Sequence, residues 1–119
     1  MKIPGPDHPI NIVPNPRRVR VSFNGRVVAD TTRALTLTEA SLPAVHYIPR
    51  ADADLSAFVR TAHATSCPYK GEAAYYNLQV DGRTAENAVW TYEQPYAAVA
   101  AIKDHLAFYP SRVDRIEQS

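Results

Sequence analysis

Two dipeptides that favour hairpin turns constrain the fold of this chain more than any other feature. Asn24-Gly25 and Asp81-Gly82 each place a residue that tolerates a positive φ before a glycine, as a type I′ turn requires. Ahead of the first turn, apolar and polar side chains alternate from Val19 to Phe23, which is the period of a half-buried strand. Residues 26–29 supply the returning strand, so the pattern predicts a β-hairpin over residues 19–29.

Further apolar segments, bounded by prolines or turn residues, are predicted to be strands. They comprise residues 34–39, 45–48, 73–80, 88–92 and 106–109. Short helices are expected at two places: one capped by Asp52 or Asp54 and reaching about Phe58, the other over residues 96–103. Together these elements predict a mainly β (α+β) domain with antiparallel strands.

The N-terminal segment is unusually rich in proline, with five of the ten prolines between residues 4 and 16. This density excludes a regular helix or a central strand and favours an extended, polyproline-like arm. The arm is expected either to lie across the domain on Ile10, Ile12 and Val13, or to be a loose terminus. At 119 residues the chain has room for one domain. We predict an arm, a single β-rich domain and a C-terminal tail over residues 1–16, 17–115 and 116–119.

Composition and charge argue against several classes of protein. The net charge of +1 gives no bulk attraction to a polyanion, so a nucleic-acid partner is not expected despite the arginines between residues 17 and 26. No apolar run approaches the roughly 20 residues that cross a bilayer, and the N-terminus lacks a signal-peptide core. The single cysteine fits a reducing compartment, so we expect a cytoplasmic protein, monomeric or homodimeric. The histidines show no metal-ligand spacing, and neither a metal nor another cofactor is expected.

The segment Cys67-Pro68-Tyr69-Lys70-Gly71 is the first pointer to a functional site. Its proline and glycine predict a tight turn that would present a thiol, a phenol and an amine together. Lys70 is one of only three lysines, in a chain that prefers arginine. It could bind a carboxylate or phosphate, or form a Schiff base; the alternative is a solvated turn residue.

Cys67 is a candidate nucleophile within the same turn. Lys70 could stabilise its thiolate, with Glu39, His46 or His63 managing protons. A lone cysteine is, however, more often a small buried apolar residue. The spacing of these residues defines no catalytic triad, so the reaction stays open.

Aromatic residues on predicted strands form a second pointer. Trp90 and Tyr92 are two residues apart and so project from one face of a strand. Tyr75 and Tyr76 point to opposite faces, and one of them could join that pair. Such a surface suits a planar or sugar-like ligand, although aromatic strand residues commonly belong to the core.

Arg33 and Glu39 add charge to the predicted strand at residues 34–39. Their even spacing would place both on the side of Leu35 and Leu37 if the strand is unbroken. Either a bulge turns one of them away, or both face a polar cleft beside the core. A structural ion pair is the competing interpretation.

Several of these segments, taken together, resemble a known family. They read RVRVSFNG (18–25), VAD (28–30), RAL (33–35), PAVHYIP (43–49), CPYKG (67–71), AVW (88–90, with Tyr92 beyond) and AFYP (107–110). In this order they resemble the mostly bacterial family known as domain of unknown function 427. The resemblance covers roughly residues 17 to 115.

The resemblance implies a compact domain of the β-tent kind, in which two antiparallel sheets meet at an angle, with one or two short helices. Some β-tent proteins hold zinc through paired Cys-x-x-Cys motifs, which a chain with one cysteine does not contain. The family also carries a nucleotidyltransferase-like label, which would require carboxylates for Mg²⁺ and a phosphate-binding loop. Asp52 and Asp54 are a superficial carboxylate pair, but the segment fits a helix cap better.

The leading hypothesis is a small ligand-binding domain. Its cleft is predicted to be lined by Arg33, Glu39, Tyr47, Lys70, Tyr75, Trp90 and Tyr92. One alternative is an enzyme that acts through Cys67 or Lys70. Another is an interaction module that uses the proline-rich arm or an exposed strand edge.

Overall fold

A computed structural model describes residues 1–119 and contains ten strands. The strands are β1 (Ile10–Asn15), β2 (Val19–Phe23), β3 (Arg26–Thr31), β4 (Ala34–Glu39), β5 (Val45–Tyr47), β6 (Phe58–Cys67), β7 (Gly71–Val80), β8 (Arg83–Tyr92), β9 (Leu106–Phe108) and β10 (Arg115–Gln118). The helical elements are 3-10 helices at Arg50–Asp52, Leu55–Ala57, Ala97–Ile102 and Pro110–Arg112. None of these helices has the length and apolar character needed to cross a membrane.

The strands form three antiparallel sheets, in the orders β1-β4-β5, β10-β2-β3 and β6-β7-β8-β9. The mainly β class is therefore confirmed, but there are three sheets where two were expected. The first and third sheets meet where Ile48 and Leu106 exchange backbone hydrogen bonds, each of 2.8 Å. Pro49 follows at once and has no N–H to continue the ladder, so the two sheets remain separate.

Both predicted hairpin turns are confirmed by the backbone. Asn24 and Gly25 have φ values of 49° and 79°, and Asp81 and Gly82 have 49° and 80°. Positive φ at both central residues is the signature of the type I′ turn, whose twist matches that of the strands it joins. The second turn joins β7 to β8, two long strands that carry Tyr75, Tyr76, Trp90 and Tyr92.

Both ends of the chain form strands that pair with strands of the domain. Residues 10–15, expected within the arm, form β1 at the edge of the first sheet, with Ile10 and Ile12 packed on the core. An edge strand tolerates Pro14, because its missing N–H faces away from the ladder. Residues 116–119, expected as a tail, belong largely to β10, which pairs with β2 and packs Ile116 on the core.

The expected helices are shorter and of a different kind. Asp54 caps only one 3-10 turn, accepting a hydrogen bond of 3.3 Å from the Ser56 amide. The chain then enters β6 at Phe58, a strand that the sequence analysis did not predict. β6 lies at a sheet edge and exposes both faces over most of its length, so it shows no apolar alternation. The segment predicted as a helix over residues 96–103 is the 3-10 helix Ala97–Ile102.

Buried side chains form two clusters. One has 14 residues and is centred on the β2–β3 hairpin. The other has 8 residues, among them Leu37, Tyr47, Tyr75 and Tyr92, and packs the first sheet against the third. The candidate site lies directly against this second cluster.

Candidate functional site

A cavity of about 190 Å³ opens above the second core cluster, between the first and third sheets. We call it the aromatic chamber. It is lined by Leu37, Glu39, Leu42, Pro43, Val45, Tyr47, Lys70, Tyr75, Trp90, Tyr92 and Tyr109. Most of this wall is apolar or aromatic, with one charged pair within it.

The structure brings six of the seven predicted cleft residues to this chamber: Glu39, Tyr47, Lys70, Tyr75, Trp90 and Tyr92. Tyr75 and Trp90 are directly paired across β7 and β8, so they share the face that also carries Tyr92. Lys70 ends the Pro68–Lys70 turn that joins β6 to β7, as the proline and glycine of that segment predicted.

Arg33 is the predicted cleft residue that the structure places elsewhere. β4 begins only at Ala34, and the Arg33 amide donates to the Thr31 hydroxyl at 2.9 Å in the bend before it. The Arg33 side chain is 64% exposed and pairs with Asp52 at 3.2 Å. The strand therefore starts after Arg33, and the argument from even spacing holds for Glu39 alone.

Lys70 and Glu39 form a buried ion pair at one end of the chamber. Their side chains are only 10% and 11% exposed, and Lys70 Nζ donates to Glu39 Oε1. His8 Nε2 lies 2.8 Å from the other carboxylate oxygen. Burial acts to raise the pKa of Glu39, but the hydrogen bonds from Lys70 and His8 outweigh it and leave that pKa below its usual value.

The N-terminal segment covers this charged end, which the sequence analysis did not foresee. The imidazole of His8 stacks on the Tyr69 ring at 4.0 Å, with the planes 8° apart. The Lys2 amide donates to the Pro68 carbonyl at 2.7 Å. Proline content alone predicted an arm but could not show which surface the arm covers.

Tyrosine hydroxyls line the rest of the wall. Tyr75 contacts Tyr109 at 3.3 Å and Thr65 at 2.9 Å, and Trp90 Nε1 donates to the Tyr47 hydroxyl at 3.3 Å. Burial raises the pKa of Tyr47 and, with the contact to Tyr75, raises that of Tyr109 to about 12. The phenols of Tyr47 and Tyr109 are therefore neutral at physiological pH. Tyr109 was missed as a site residue, although it lies in the matched segment AFYP.

Tyr92 differs from the other tyrosines of the chamber because its hydroxyl has no hydrogen-bond partner within the protein. The residue is only 5% exposed, and burial raises the pKa of its phenol. No fully enclosed side-chain polar atom in the protein lacks a partner. The Tyr92 hydroxyl therefore reaches the open space of the chamber, where it can donate to or accept from a guest molecule.

The candidate nucleophile and bases are not assembled into a catalytic group. Cys67 is partly buried at the end of β6, outside the chamber wall, and packs against the second core cluster. His46 contacts the Thr36 hydroxyl at 2.9 Å, and burial lowers its pKa. His63 is exposed and lies against the Tyr75 ring, with centroids 4.4 Å apart. Neither histidine is hydrogen-bonded to the thiol.

The two aspartates considered as a carboxylate pair are engaged separately. Asp52 accepts from the Thr31 hydroxyl at 2.7 Å and pairs with Arg33, whereas Asp54 pairs with Arg26. No group of three or more histidine, cysteine, aspartate or glutamate side chains is arranged to hold a metal ion.

The matched region contains the whole chamber. The family model described as "Domain of unknown function (DUF427)" matches residues 11–119. The chain belongs to this family. The nucleotidyltransferase-like label of DUF427 is a name and not an observed activity. The chamber lies inside the matched DUF427 region, whereas His8 and Lys2, which cover its charged end, lie outside it. No curated protein matches the chain.

Proposed function

We propose that this protein binds a small, uncharged, ring-shaped ligand in the aromatic chamber. The single observation that carries the proposal is the unpartnered hydroxyl of Tyr92, which is almost buried yet faces open space. A ligand that hydrogen-bonds to this hydroxyl gains about 0.5–1.5 kcal/mol from the bond and is aligned by it.

The charges of the chamber favour a neutral ligand. Glu39 and Lys70 already neutralise each other, so an ionised ligand would bring an unbalanced charge into a poorly hydrated site. An uncharged ligand group that both donates and accepts hydrogen bonds is better matched to the chamber. Lys70 gives one of its three N–H donors to Glu39, and the Tyr47 hydroxyl accepts from Trp90 with its own proton still free to donate.

The volume and the walls favour a single ring. An apolar cavity of about 150 Å³ is known to hold benzene, so the 190 Å³ of the chamber suits a ring with one or two polar substituents. The Trp90 and Tyr109 rings, 4.5 Å apart, provide faces against which such a ring can stack. Neutral cyclic amides, aromatic amides and small sugars are the classes to test first, in a protein that we take to be bacterial and cytoplasmic.

The test is a screen of these classes by the fluorescence of Trp90, the single tryptophan of the chain, supported by thermal shift. For each ligand found, we expect Tyr92→Phe to weaken binding about 5- to 10-fold, the value of one hydrogen bond. Tyr76→Phe is the matched control, because the Tyr76 hydroxyl accepts from Arg50 outside the chamber. Trp90→Ala removes the fluorophore and is therefore measured by thermal shift. Ligands that bind Tyr92→Phe and Trp90→Ala as tightly as the natural protein would show that the chamber is not their site.

A further inference from the structure

A second and larger cavity of about 670 Å³ lies beside the aromatic chamber. We call it the apolar groove; its own walls include Val21, Ile48, Phe108, Pro110 and Ile116. The groove and the chamber share Leu42, Pro43, Val45 and Trp90. These four residues form the partition between the two cavities. Together the cavities have the size that is typical of a site for a ligand larger than one ring.

We infer that the chamber and the groove form one bipartite site for an elongated ligand, with its uncharged polar ring in the chamber and an apolar tail in the groove. The inference rests on the proposed function for the ring and extends it to the rest of the molecule. It assigns the groove to the same ligand because the two cavities lie side by side and share four wall residues.

Polar groups are distributed unequally between the two compartments. Glu39, Lys70 and Tyr92 line the chamber but not the groove. The charged residues at the groove are paired within the protein: Asp114 accepts from the Gly25 amide at 3.1 Å, and Arg115 lies 3.6 Å from Glu117. The groove therefore offers mainly apolar contact, which suits a hydrocarbon tail.

The partition itself exposes an apolar side chain. Leu42 is 57% exposed at the rim of both cavities, in a segment that joins β4 to β5 outside either strand. The only backbone hydrogen bond from its amide is the turn bond to the Glu39 carbonyl, of 2.9 Å. A tail that passes over this rim from the chamber to the groove would cover Leu42 and remove its apolar surface from water.

The experiment uses benzamide and its 4-ethyl, 4-butyl and 4-hexyl derivatives as probes, with Trp90 fluorescence as the readout. The amide is the neutral polar head, and the tail grows from the opposite end of the ring. We expect the affinity to rise about fourfold for each methylene that the groove accepts. An affinity that stays flat from benzamide to the hexyl derivative would overturn the bipartite site and leave the proposed function standing.

A substitution in the groove separates the two compartments. Ala44 is exposed, lines the groove and does not line the chamber, so Ala44→Asp should fold. We expect this change to abolish the gain in affinity that the tail provides. The affinity for benzamide should stay within about twofold of that of the natural protein. Ala62→Asp, on the exposed edge strand β6, is the matched control and should preserve the gain. A gain that survives Ala44→Asp would place the tail elsewhere, and no binding of any probe would overturn the proposed function itself.

Discussion

Glu39 connects two basic side chains that are distant in the chain. Lys70 and His8 each lie 31 residues from it in sequence, and each contacts a different oxygen of its carboxylate. Removing such charges from water is costly, and their mutual attraction and hydrogen bonds offset that cost only while the set is complete. At the scale of single residues, the stability of the charged end of the chamber therefore depends on keeping both partners of the buried pair.

Replacing one partner of this pair should destabilise the fold. We expect Lys70→Met to lower the free energy of unfolding by about 3 kcal/mol, because it leaves the Glu39 carboxylate buried with only His8. Urea denaturation measures the effect, and Lys103→Met, at an exposed position, is the matched control. Adding Glu39→Gln to Lys70→Met should recover most of the loss. Equal urea midpoints for Lys70→Met and the natural protein would contradict the role given to the pair.

The element that presents Lys70 is the hairpin turn between β6 and β7. Gly71 follows the turn with φ of +112°, a value that side-chain-bearing residues rarely adopt. A Cβ built there would lie 3.3 Å from the Gln94 carbonyl oxygen, and the Lys70 carbonyl accepts from the Tyr96 amide at 3.0 Å. Close backbone packing on residues 94–96 thus holds the turn against the body of the protein.

This packing predicts a difference between two glycines. Gly82 also has a positive φ, of +80°, but open space surrounds its missing Cβ. We expect Gly82→Ala to cost about 1–2 kcal/mol in unfolding free energy and Gly71→Ala about 3 kcal/mol, since only the second adds a tight contact with the backbone to the strain. Gly71→Ala should also weaken ligand binding, because a small shift of the turn to ease this contact displaces Lys70. Similar losses of unfolding free energy at the two positions would show that the packing on residues 94–96 does not contribute to stability.

Across the whole molecule, the Glu39 cluster joins three parts of the chain: the N-terminal segment through His8, the first sheet through β4, and the third sheet through the Lys70 turn. The chamber lies between those two sheets. Ionisation of Glu39 therefore bears on how the sheets hold together as well as on the local geometry.

The lowered pKa of Glu39 gives this contribution a definite pH dependence. In the unfolded chain the carboxyl titrates near 4.5, and in the folded protein it titrates lower. The stability it contributes is thus fully present above pH 4.5 and is lost as the pH falls through the folded-state pKa. Urea denaturation from pH 7 to pH 3 should show the natural protein losing its advantage over Glu39→Gln across that acidic window. The half-buried carboxylates Asp30 and Asp54, whose pKa values are also lowered, remain in both proteins and cancel in the difference. A difference that does not vary with pH would contradict the assignment.

Local patterns in the sequence determined much of this protein. The two hairpin turns followed from the residues that tolerate positive φ, and the shared face of Trp90 and Tyr92 followed from the period of a strand. These properties depend on steric limits within a few residues, which a sequence displays directly. The six predicted cleft residues that line the chamber were each chosen from a strand face or a tight turn, but the packing of the first sheet against the third brought them together.

The tertiary structure decided what depends on contacts between distant segments. It placed Arg33 outside the chamber, added Tyr109 to its wall, set His8 against its charged end, and made a strand of residues 58–67, whose exposed faces carry no periodic signal. It also left the Tyr92 hydroxyl without a partner, a property of the whole packing arrangement and of no local motif. Residues far apart in the chain meet according to the paths of the sheets between them, and the free energy of those contacts depends on burial that only the complete fold creates.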